Sequence, residues 1–426
     1  MDYTYYRIDD ICSIKSGKRL PKGSDFSQEE TPYGYIRARD IKKGKINLKE
    51  LVYIDDDVKS KIKKYIIEEG DIAITIVGEN IGDVGYCTSE ASGNNLTENA
   101  VRLTGFKENV DSKYLCYFLN QGFMKQYMSI LGSGAAQGKL GIYKIQRIKV
   151  PLPDIETQKK VTQVLAMYDE LIECNNRQIE NCNRLSKEVF NEWFLRFRYP
   201  GNEKDERVEG IFGKVPDKFI SMKMQDVIDF YIGGGWGNDE QSDDYPIEAY
   251  VIRGTDFPYI TNGEINTCPL RYHKQSNYDK RQLRENDLVL EVSGGTAEQP
   301  VGRTIIVDKE TIERFDNQVI CASFCKLIRL NKKVTPYYFY HWMLFLYDTR
   351  IIDKFQLQST GIINFKFEYF LRKGDILVPP LELMNQFEEV VKPLQDKKNL
   401  LAKQNDNLIR QRDLLTPRLM SGKLSI

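Results

Sequence analysis

The sequence predicts an α+β protein made of two copies of one unit, each a mixed globular domain followed by a long helix. Three observations predict this fold class. The 426 residues exceed what a single core of ordinary size holds. Short motifs recur in the same order about 216 positions apart. A long stretch with apolar residues at alternating spacings of four and three closes each half.

The internal repeat rests on five pairs of segments that keep their order along the chain. Because chance similarities between short segments do not stay collinear, these pairs indicate a duplication. The pairs are IRARDI (36–41) with IRGTDF (252–257), GDIAIT (70–75) with NDLVLE (286–291), VGENIGDVG (77–85) with VSGGTAEQPVG (292–302), YLCYFL (114–119) with YFYHWM (338–343), and IKVPLPDIETQ (148–158) with ILVPPLELMNQ (376–386).

Each copy begins with short β-type runs separated by Gly, Asn and Asp, which are turn residues. An apolar-periodic stretch follows (113–131; 336–355), and then come a polar loop, a strand ending in proline, and the long helix. We therefore expect five segments: domain one over 1–153, the first long helix over 154–198, a linker over 199–217, domain two over 218–380, and the second long helix with a tail over 381–426.

The two long helices are predicted to pair as an antiparallel coiled coil with approximate two-fold symmetry. Their seam residues are predicted to include Leu165, Ile172, Asn175 and Ile179 in the first helix and Leu394, Leu401, Gln404 and Leu408 in the second. Asn175 and Gln404 would occupy equivalent polar positions and fix the register. The alternative is two unrelated amphipathic helices, each packed on its own domain.

Composition excludes several classes of protein. The chain is 29% charged and has no apolar run of membrane-span length, so we expect a cytoplasmic protein without membrane association. Eight scattered cysteines and two histidines make a metal site improbable; Cys321 and Cys325 are expected to be buried hydrophobic residues. Net charge is zero, but ten cations against four acids occur between Lys15 and Lys49, a cluster that suits phosphate or a merely solvated face equally well.

Enzyme motifs are not complete anywhere in the chain. The segment GSGAAQGKL (132–140) resembles a phosphate loop but ends in Leu140, where a hydroxyl residue would have to bind magnesium. The PDK triplet at 216–218 lacks an acidic constellation and is predicted to be a linker turn. We therefore predict no catalytic residue and no metal ligand.

Several segments resemble the specificity subunits of type I restriction-modification systems, and the resemblance covers nearly the whole chain. The segments are VPLPDIETQKKV (150–161), DELIECNNRQIENCNRLSKEVFNEWF (169–194), EVSGGTAEQPVGRT (291–304), STGIINFKF (359–367) and RQRDLLTPRLMSGKL (410–424). The resemblance implies two target recognition domains, each reading one half of a bipartite double-stranded DNA site, and a helical spacer that docks two methyltransferase subunits. It implies no cofactor in this chain. S-adenosylmethionine, ATP and Mg would be bound by the methyltransferase subunits and by two restriction subunits, where these accompany the complex.

Candidate DNA contacts are cations and amides on the glycine-rich loops, since Arg and Lys suit guanine edges and phosphates whereas Asn and Gln suit adenine. The candidates are Lys18, Arg19, Arg37, Arg39, Asn80 and Lys139 in domain one, and Arg253, Lys274, Arg281, Gln299 and Arg303 in domain two. Arg37 and Arg253 align across the repeat, although either arginine could instead brace a neighbouring carboxylate. The competing interpretations are an interaction scaffold without a DNA role and a self-contained nuclease or methyltransferase.

Overall fold

A computed structural model describes residues 3–133, 138–296, 299–316, 318–359 and 362–424. The chain forms two compact units. Unit 1 comprises Met1–Leu171 with Leu408–Ile426, and unit 2 comprises Ile172–Asn407. Each unit therefore contains one globular domain and a part of each long helix. Four segments quoted above run partly outside the described residues, at 134–137, 297–298 and 360–361.

Unit 1 contains three sheets and five short helices. Its strands are β1 (Thr4–Arg7), β2 (Ser13–Ser16), β3 (Gly34–Ile36), β4 (Ile41–Lys42), β5 (Gly44–Ile46), β6 (Val52–Tyr53), β7 (Ile72–Thr75), β8 (Val84–Tyr86), β9 (Asn95–Leu96), β10 (Ala100–Thr104) and β11 (Lys149–Leu152). Its helices are α1 (Ile8–Ile11), α2 (Asp56–Ile62), α3 (Ser112–Leu119), α4 (Gly122–Gly132) and α5 (Ile142–Gln146). The sheet orders are β2-β10-β7-β8-β5-β4, β6-β3-β9 and β1-β11.

The first long helix, α6 (Ile155–Phe190), continues into a π-helical turn over Asn191–Leu195. Unit 2 then adds the strands β12 (Arg207–Gly210), β13 (Gly213–Pro216), β14 (Ile220–Lys223), β15 (Ile228–Gly233), β16 (Ile247–Ile252), β17 (Leu270–His273), β18 (Leu288–Glu291), β19 (Ser293–Gly295), β20 (Thr304–Ile306), β21 (Val319–Cys321), β22 (Cys325–Leu330), β23 (Gln356–Ser359), β24 (Ile362–Phe365) and β25 (Asp375–Val378). Its short helices are α7 (Phe257–Thr261), α8 (Gln275–Arg281), α9 (Lys309–Arg314), α10 (Pro336–Asp348) and α11 (Phe367–Lys373), and the second long helix is α12 (Leu381–Met420). The expected linker at 199–217 contains the β12-β13 hairpin.

Strand order repeats between the two units. The order β2-β10-β7-β8 in unit 1 corresponds to β15-β22-β18-β20 in unit 2, and every neighbouring pair is antiparallel. The three-stranded sheets β6-β3-β9 and β17-β16-β21 each combine one antiparallel and one parallel pair. The first and last strands of each domain also pair, as β1-β11 and β14-β25. The predicted duplication and fold class are therefore confirmed at the level of topology.

Backbone hydrogen bonds correct the register of the repeat at two places. Gly82 donates to the carbonyl of Thr75, as Gly302 does to that of Glu291, so Gly82 and not Gly85 is the counterpart of Gly302. Leu152 pairs with the first residue of β1, and Val378 pairs with the first residue of β14, so these two residues are counterparts. The aligned sequence motifs had instead placed the counterpart of Leu152 two residues further along the chain. The motifs had aligned prolines that do not occupy the same position in their strands.

A buried ion pair recurs in both units. Asp71, just before β7, accepts a 2.6 Å hydrogen bond from Arg102 of β10. Asp287, just before β18, accepts two hydrogen bonds of 2.8 and 3.0 Å from Arg329 of β22. Both carboxylates are buried, and an unpaired charge there would be costly. Sequence analysis missed this pair, although an aspartate precedes the buried strand in both GDIAIT and NDLVLE.

The long helices run antiparallel in each unit. In unit 1, Val161 and Leu165 of α6 share a core with Leu419 and Met420 near the end of α12. Arg412 of α12 donates to Asp169 of α6 at 2.6 Å.

In unit 2, residues further along α6 contact residues earlier in α12. Asn175 donates to Asn405 at 2.9 Å, and Ile179 packs with Leu401 and Ala402. The predicted seam residues Leu165, Ile172, Asn175, Ile179 and Leu401 are buried, and Leu394 and Leu408 are half-buried.

The predicted seam position of Gln404 is wrong. Gln404 is exposed, and its neighbour Asn405 is buried and forms the hydrogen bond with Asn175. The same displacement of one residue occurs earlier in α12, where Val390 is exposed and Val391 is buried. Two adjacent valines give a helical pattern with two possible registers, and only packing against α6 decides between them.

Candidate nucleic-acid interface

A groove in unit 1 brings together three of the predicted DNA contacts. An open cleft of about 550 Å³ is lined by the loop after β2, the segment after β7 and the segment before α5. Lys18, Arg19 and Lys139 all line this groove, together with Glu98 and the exposed ring of Tyr143. Lys18 and Lys139 are exposed. We call this cleft the unit 1 groove.

Close backbone packing forms the floor of the groove. Gly17 donates to the carbonyl of Ala100 at 3.1 Å, and Lys18 donates to that of Leu96 at 2.8 Å. A Cβ atom on Gly17 would lie 2.0 Å from the carbonyl oxygen of Thr97, so only glycine fits. A further contact pairs Val77 with Lys139 as an isolated β-bridge. These contacts place cations from distant parts of the sequence on one surface.

Charge in the groove is not purely positive. Nε of Arg19 donates to Oε1 of Glu98 at 2.6 Å, while 78% of the Arg19 side chain is exposed. Burial raises the pKa of Glu98, but the hydrogen bond from Arg19 and further hydrogen bonds outweigh burial and hold that pKa below its ordinary value. The carboxylate therefore stays ionised and holds the Arg19 guanidinium at the lining of the groove. An arginine held in this way is suited to a fixed anionic or guanine-edge partner.

Arg37 and Arg253 occupy equivalent positions, but both brace a local turn. Each begins a one-turn 3-10 helix, Ala38–Asp40 or Gly254–Asp256. Arg37 makes two 2.9 Å hydrogen bonds to Asp40, and Arg253 makes the same bidentate contact with Asp256 at 2.9 and 2.8 Å. Each guanidinium also donates to a backbone carbonyl, that of Glu50 or of Thr267.

The bidentate contact with Asp256 raises the pKa of Arg253, because the hydrogen bond stabilises the charged guanidinium. These two arginines, our strongest individual candidates from sequence, are therefore engaged inside their own domains. The alternative that the sequence left open, an arginine that braces a carboxylate, describes both of them.

The other candidates lie on several different elements. Arg39 is exposed within the 3-10 turn that Arg37 begins, and Asn80 is half-buried in the loop after β7. In unit 2, Lys274 is exposed at the start of α8, and Gln299 is exposed in the loop before β20. Arg281 is half-buried and donates to the carbonyl of Gly233 at 2.9 Å.

Arg303 departs furthest from its predicted role. It makes two hydrogen bonds of 2.8 and 2.6 Å to Glu291, whose carboxylate is buried. Although burial lowers the pKa of Arg303, its contact with Glu291 raises that pKa above its ordinary value overall. The contact uses two of the five guanidinium donors, and because only 16% of the side chain is exposed, little of it is accessible to DNA. Its position beside a glycine-rich loop had suggested otherwise.

No cluster of three or more His, Cys, Asp or Glu side chains that could hold a metal ion occurs in the described parts of the chain. All eight cysteines are free, and Cys321 and Cys325 are buried. Among the residues whose structure is described, no helix combines the length and the apolar character needed to cross a membrane.

The chain thus contains two duplicated α+β domains and two long antiparallel helices, and unit 1 carries a cationic groove on glycine-containing loops. Residues 1–184 match the family model described as type I restriction modification DNA specificity domain. Residues 1–184, which include domain one and most of α6, are therefore similar to the DNA specificity domain of type I restriction-modification systems.

Two relatives are similar to larger parts of the chain. The chain is 21% identical over 441 residues to the type I restriction enzyme MjaVIII specificity subunit of Methanocaldococcus jannaschii, covering 100% of this chain and 93% of that protein. It is 24% identical over 330 residues to the MjaIX specificity subunit of the same organism, covering 75% of this chain and 71% of that protein. The crystal structure of the type I restriction-modification S subunit from M. genitalium has the same fold, with a TM-score of 0.51, 13% identity, and coverage of 98% of this chain and 96% of that chain.

Proposed function

We propose that this chain reads a bipartite double-stranded DNA target for a type I restriction-modification complex, with each domain reading one half. The observation that carries the proposal is the unit 1 groove, where Lys18, Arg19 and Lys139 converge on closely packed loops. Such an arrangement suits contacts with the phosphate backbone and with guanine edges. In this proposal the chain itself catalyses no reaction, and partner subunits bind S-adenosylmethionine, ATP and Mg.

We further propose that the long helices dock two methyltransferase subunits. Several large apolar side chains of these helices lie outside the antiparallel seam and are exposed to solvent. In unit 1 these are Met167, Leu171 and Leu414, and in unit 2 they are Leu185, Val390 and Leu400. Exposed apolar residues along a helix are typical of a surface that a partner covers. Restriction subunits complete the assembly in systems that cleave DNA.

The salt dependence of DNA binding tests the groove. The double variant Lys18→Ala/Lys139→Ala should bind its target more weakly and should lower the slope of log K against log salt by about 1.8, because each lost phosphate contact removes about 0.9. The matched control is Lys63→Ala/Lys64→Ala, which removes the same charge from two exposed residues after α2. Binding is measured by gel shift with the methyltransferase subunits present. An equal loss in both double variants would contradict the groove as the interface.

Two further measurements separate the competing functions. Specific retention of DNA only when the methyltransferase subunits are present supports the proposal, whereas complete failure to bind any duplex favours a protein scaffold. Methyl transfer or cleavage by this chain alone would favour a self-contained enzyme. Mapping N6-methyladenine in host DNA with and without the gene then defines the target sequence.

A further inference from the structure

Unit 2 carries aromatic side chains at the positions that form the groove in unit 1. Gly234 donates to the carbonyl of Cys325 at 3.0 Å, and Gly235 donates to that of Cys321 at 2.9 Å. These two bonds match those of Gly17 and Lys18 in unit 1. The next residue after each pair is Arg19 in unit 1 and Trp236 in unit 2. The loop that presents a cation in one domain therefore presents an indole in the other.

A second aromatic residue replaces a polar one in the adjacent turn. Ile76 donates to the carbonyl of Asn99 in unit 1, and Val292 makes the equivalent bond to the carbonyl of Phe324 in unit 2, at 2.8 and 2.9 Å. Phe324 is 66% exposed, which is a large apolar surface to leave in water. A single exposed apolar side chain is ordinary, so the significance of Phe324 depends on the aromatic residue beside it.

The two aromatic residues project from backbone segments that are packed directly together. A Cβ atom on Gly234 would lie 2.2 Å from the carbonyl oxygens of both Cys321 and Ala322, so the loop with Trp236 lies against the turn that ends at Phe324. We call the segments 234–236 and 322–325 the aromatic platform. Its backbone is fixed in the same way as the floor of the unit 1 groove.

Arg271 holds the indole in place. The guanidinium of Arg271 lies 4.8 Å from the centroid of the Trp236 ring, and its Nε donates to the Trp236 carbonyl at 3.3 Å. Asp239 forms an ion pair with Arg271. Trp236 nevertheless remains 41% exposed.

We propose that Trp236 and Phe324 contact the 5-methyl groups of thymines in the half of the target that unit 2 reads. The thymine methyl is the apolar group that the major groove offers, and aromatic side chains contact it. The inference rests on the proposed function, and it assigns different chemistry to the two halves: cations and a carboxylate in unit 1, and aromatic rings in unit 2. Sequence analysis did not select either aromatic residue.

Replacement of thymine by deoxyuridine tests this assignment because it removes only the methyl group. Once the target is mapped, each thymine in the half read by unit 2 is replaced in turn, and binding is measured with the complete methyltransferase complex. We expect about 4-fold weaker binding for each contacted methyl, the loss typical of one buried methyl-sized group. Deoxyuridine in the half read by unit 1 serves as the DNA control.

The variants Trp236→Ala and Phe324→Ala should each lose the preference for thymine over deoxyuridine at the position that the replaced ring contacts, since that methyl has then lost its partner, and the double variant should bind both targets with equal affinity. Tyr259→Ala is the matched control, because Tyr259 is an exposed aromatic residue on α7, outside the platform; it should keep the 4-fold preference for thymine. Trp236 fluorescence gives a readout independent of affinity. Of the three tryptophans, Trp342 is buried and Trp193 is half-buried, so quenching by DNA should be largest for Trp236 and should disappear in Trp236→Ala.

Several outcomes would overturn the inference. If no deoxyuridine substitution in that half weakens binding by the wild-type complex, the aromatic residues do not contact thymine methyl groups, whatever the variants do. If the variants keep the preference for thymine, or if Trp236 is quenched by the methyltransferase subunits without DNA, the platform has another role, such as protein docking. Specific DNA binding without any thymine preference refutes only this inference, whereas absence of specific binding refutes the proposed function itself.

Discussion

At the scale of single residues, the partner of an arginine decides what that arginine does. Arg37 and Arg253 each lie three residues before an aspartate, and the bidentate contact closes a turn. Arg19 has its carboxylate partner 79 positions away in the sequence and stays mostly exposed. A planar guanidinium matches a carboxylate as well as it matches a guanine edge. Composition and alignment across the repeat therefore identify candidate arginines, but they do not distinguish an arginine that braces the fold from one that contacts DNA.

His341 provides a pH-dependent test of the packing in unit 2. Its ring is buried against Phe190, and its Nδ1 lies 2.7 Å from the carbonyl of Tyr337. Burial lowers the pKa of His341 to about 4, whereas an unfolded histidine titrates near 6.5. Between these two values the unfolded chain binds more protons. The free energy of unfolding of unit 2 should therefore fall as pH decreases from 6.5 to 4, by on the order of 3 kcal/mol from this residue.

Proton NMR measures the pKa of His341 directly. The chain has only two histidines, and the variant His341→Phe assigns their signals. Denaturant unfolding of the wild type and of His341→Phe at pH 7.5 and pH 4.5 measures the stability change. The difference between the two proteins isolates the histidine from the carboxylates that titrate in the same range. A His341 signal that titrates near 6.5, with equal pH dependence in both proteins, would contradict the expectation.

At the scale of elements, the antiparallel helices contain polar residues inside an apolar seam. Asn405 accepts from Asn175 and donates to Asn176 at 2.8 Å, so a short amide network lies next to the apolar contact of Ile179 and Leu401. Polar seam residues of this kind reduce stability while excluding misaligned pairings. Lys398 is also buried, 3.4 Å from Oδ1 of Asn183, and burial lowers its pKa to about 8.

Replacing the amide pair should stabilise the helices and weaken their register. We expect Asn175→Leu/Asn405→Leu to raise the melting temperature by several degrees, because two buried amides become apolar contacts of similar volume. Thermal unfolding followed by circular dichroism measures the change. Gln404→Leu is the control and should change the melting temperature little, since Gln404 is exposed. A clear fall in the melting temperature of the double variant would mean that the amides stabilise the seam outright.

At the scale of the whole molecule, the lengths of α6 and α12 bear on the spacing of the DNA target. The two helices have 36 and 40 residues, or about 54 and 60 Å at 1.5 Å per residue. One turn of B-DNA is about 34 Å long. We infer that the helices act as a ruler between the two half-sites, an expectation that follows from the proposed function.

Inserting four residues after Asn183 tests the ruler. The insertion adds about 6 Å and roughly one helical turn, so the apolar seam keeps its angular phase. The unspecified gap between half-sites should lengthen by one or two base pairs, and the bases that are read should not change, because each domain keeps its own loops. Mapping of methylated adenines measures the gap.

The control insertion has two residues, which rotates the seam by about 200° and should disrupt pairing and activity. An unchanged gap in the four-residue variant, or altered half-site bases with the gap unchanged, would show that the helix does not set the spacing.

The sequence by itself determined the duplication, the order of elements in each copy, the two long helices and the resemblance to type I restriction-modification specificity subunits. These features depend on local periodicity and on collinear motifs, which a single chain displays directly. The predicted antiparallel pairing also agrees with the contacts of Asn175 and Ile179.

Only the tertiary structure decided which residues face solvent and which face a partner. Asn405 and not Gln404 lies in the seam, because packing against α6 selects one of two registers that the pattern allows. Arg19 and Trp236 become equivalent only through backbone hydrogen bonds that join segments about 80 to 90 residues apart. Such contacts between distant segments place side chains on a surface, and no local pattern in the sequence encodes them.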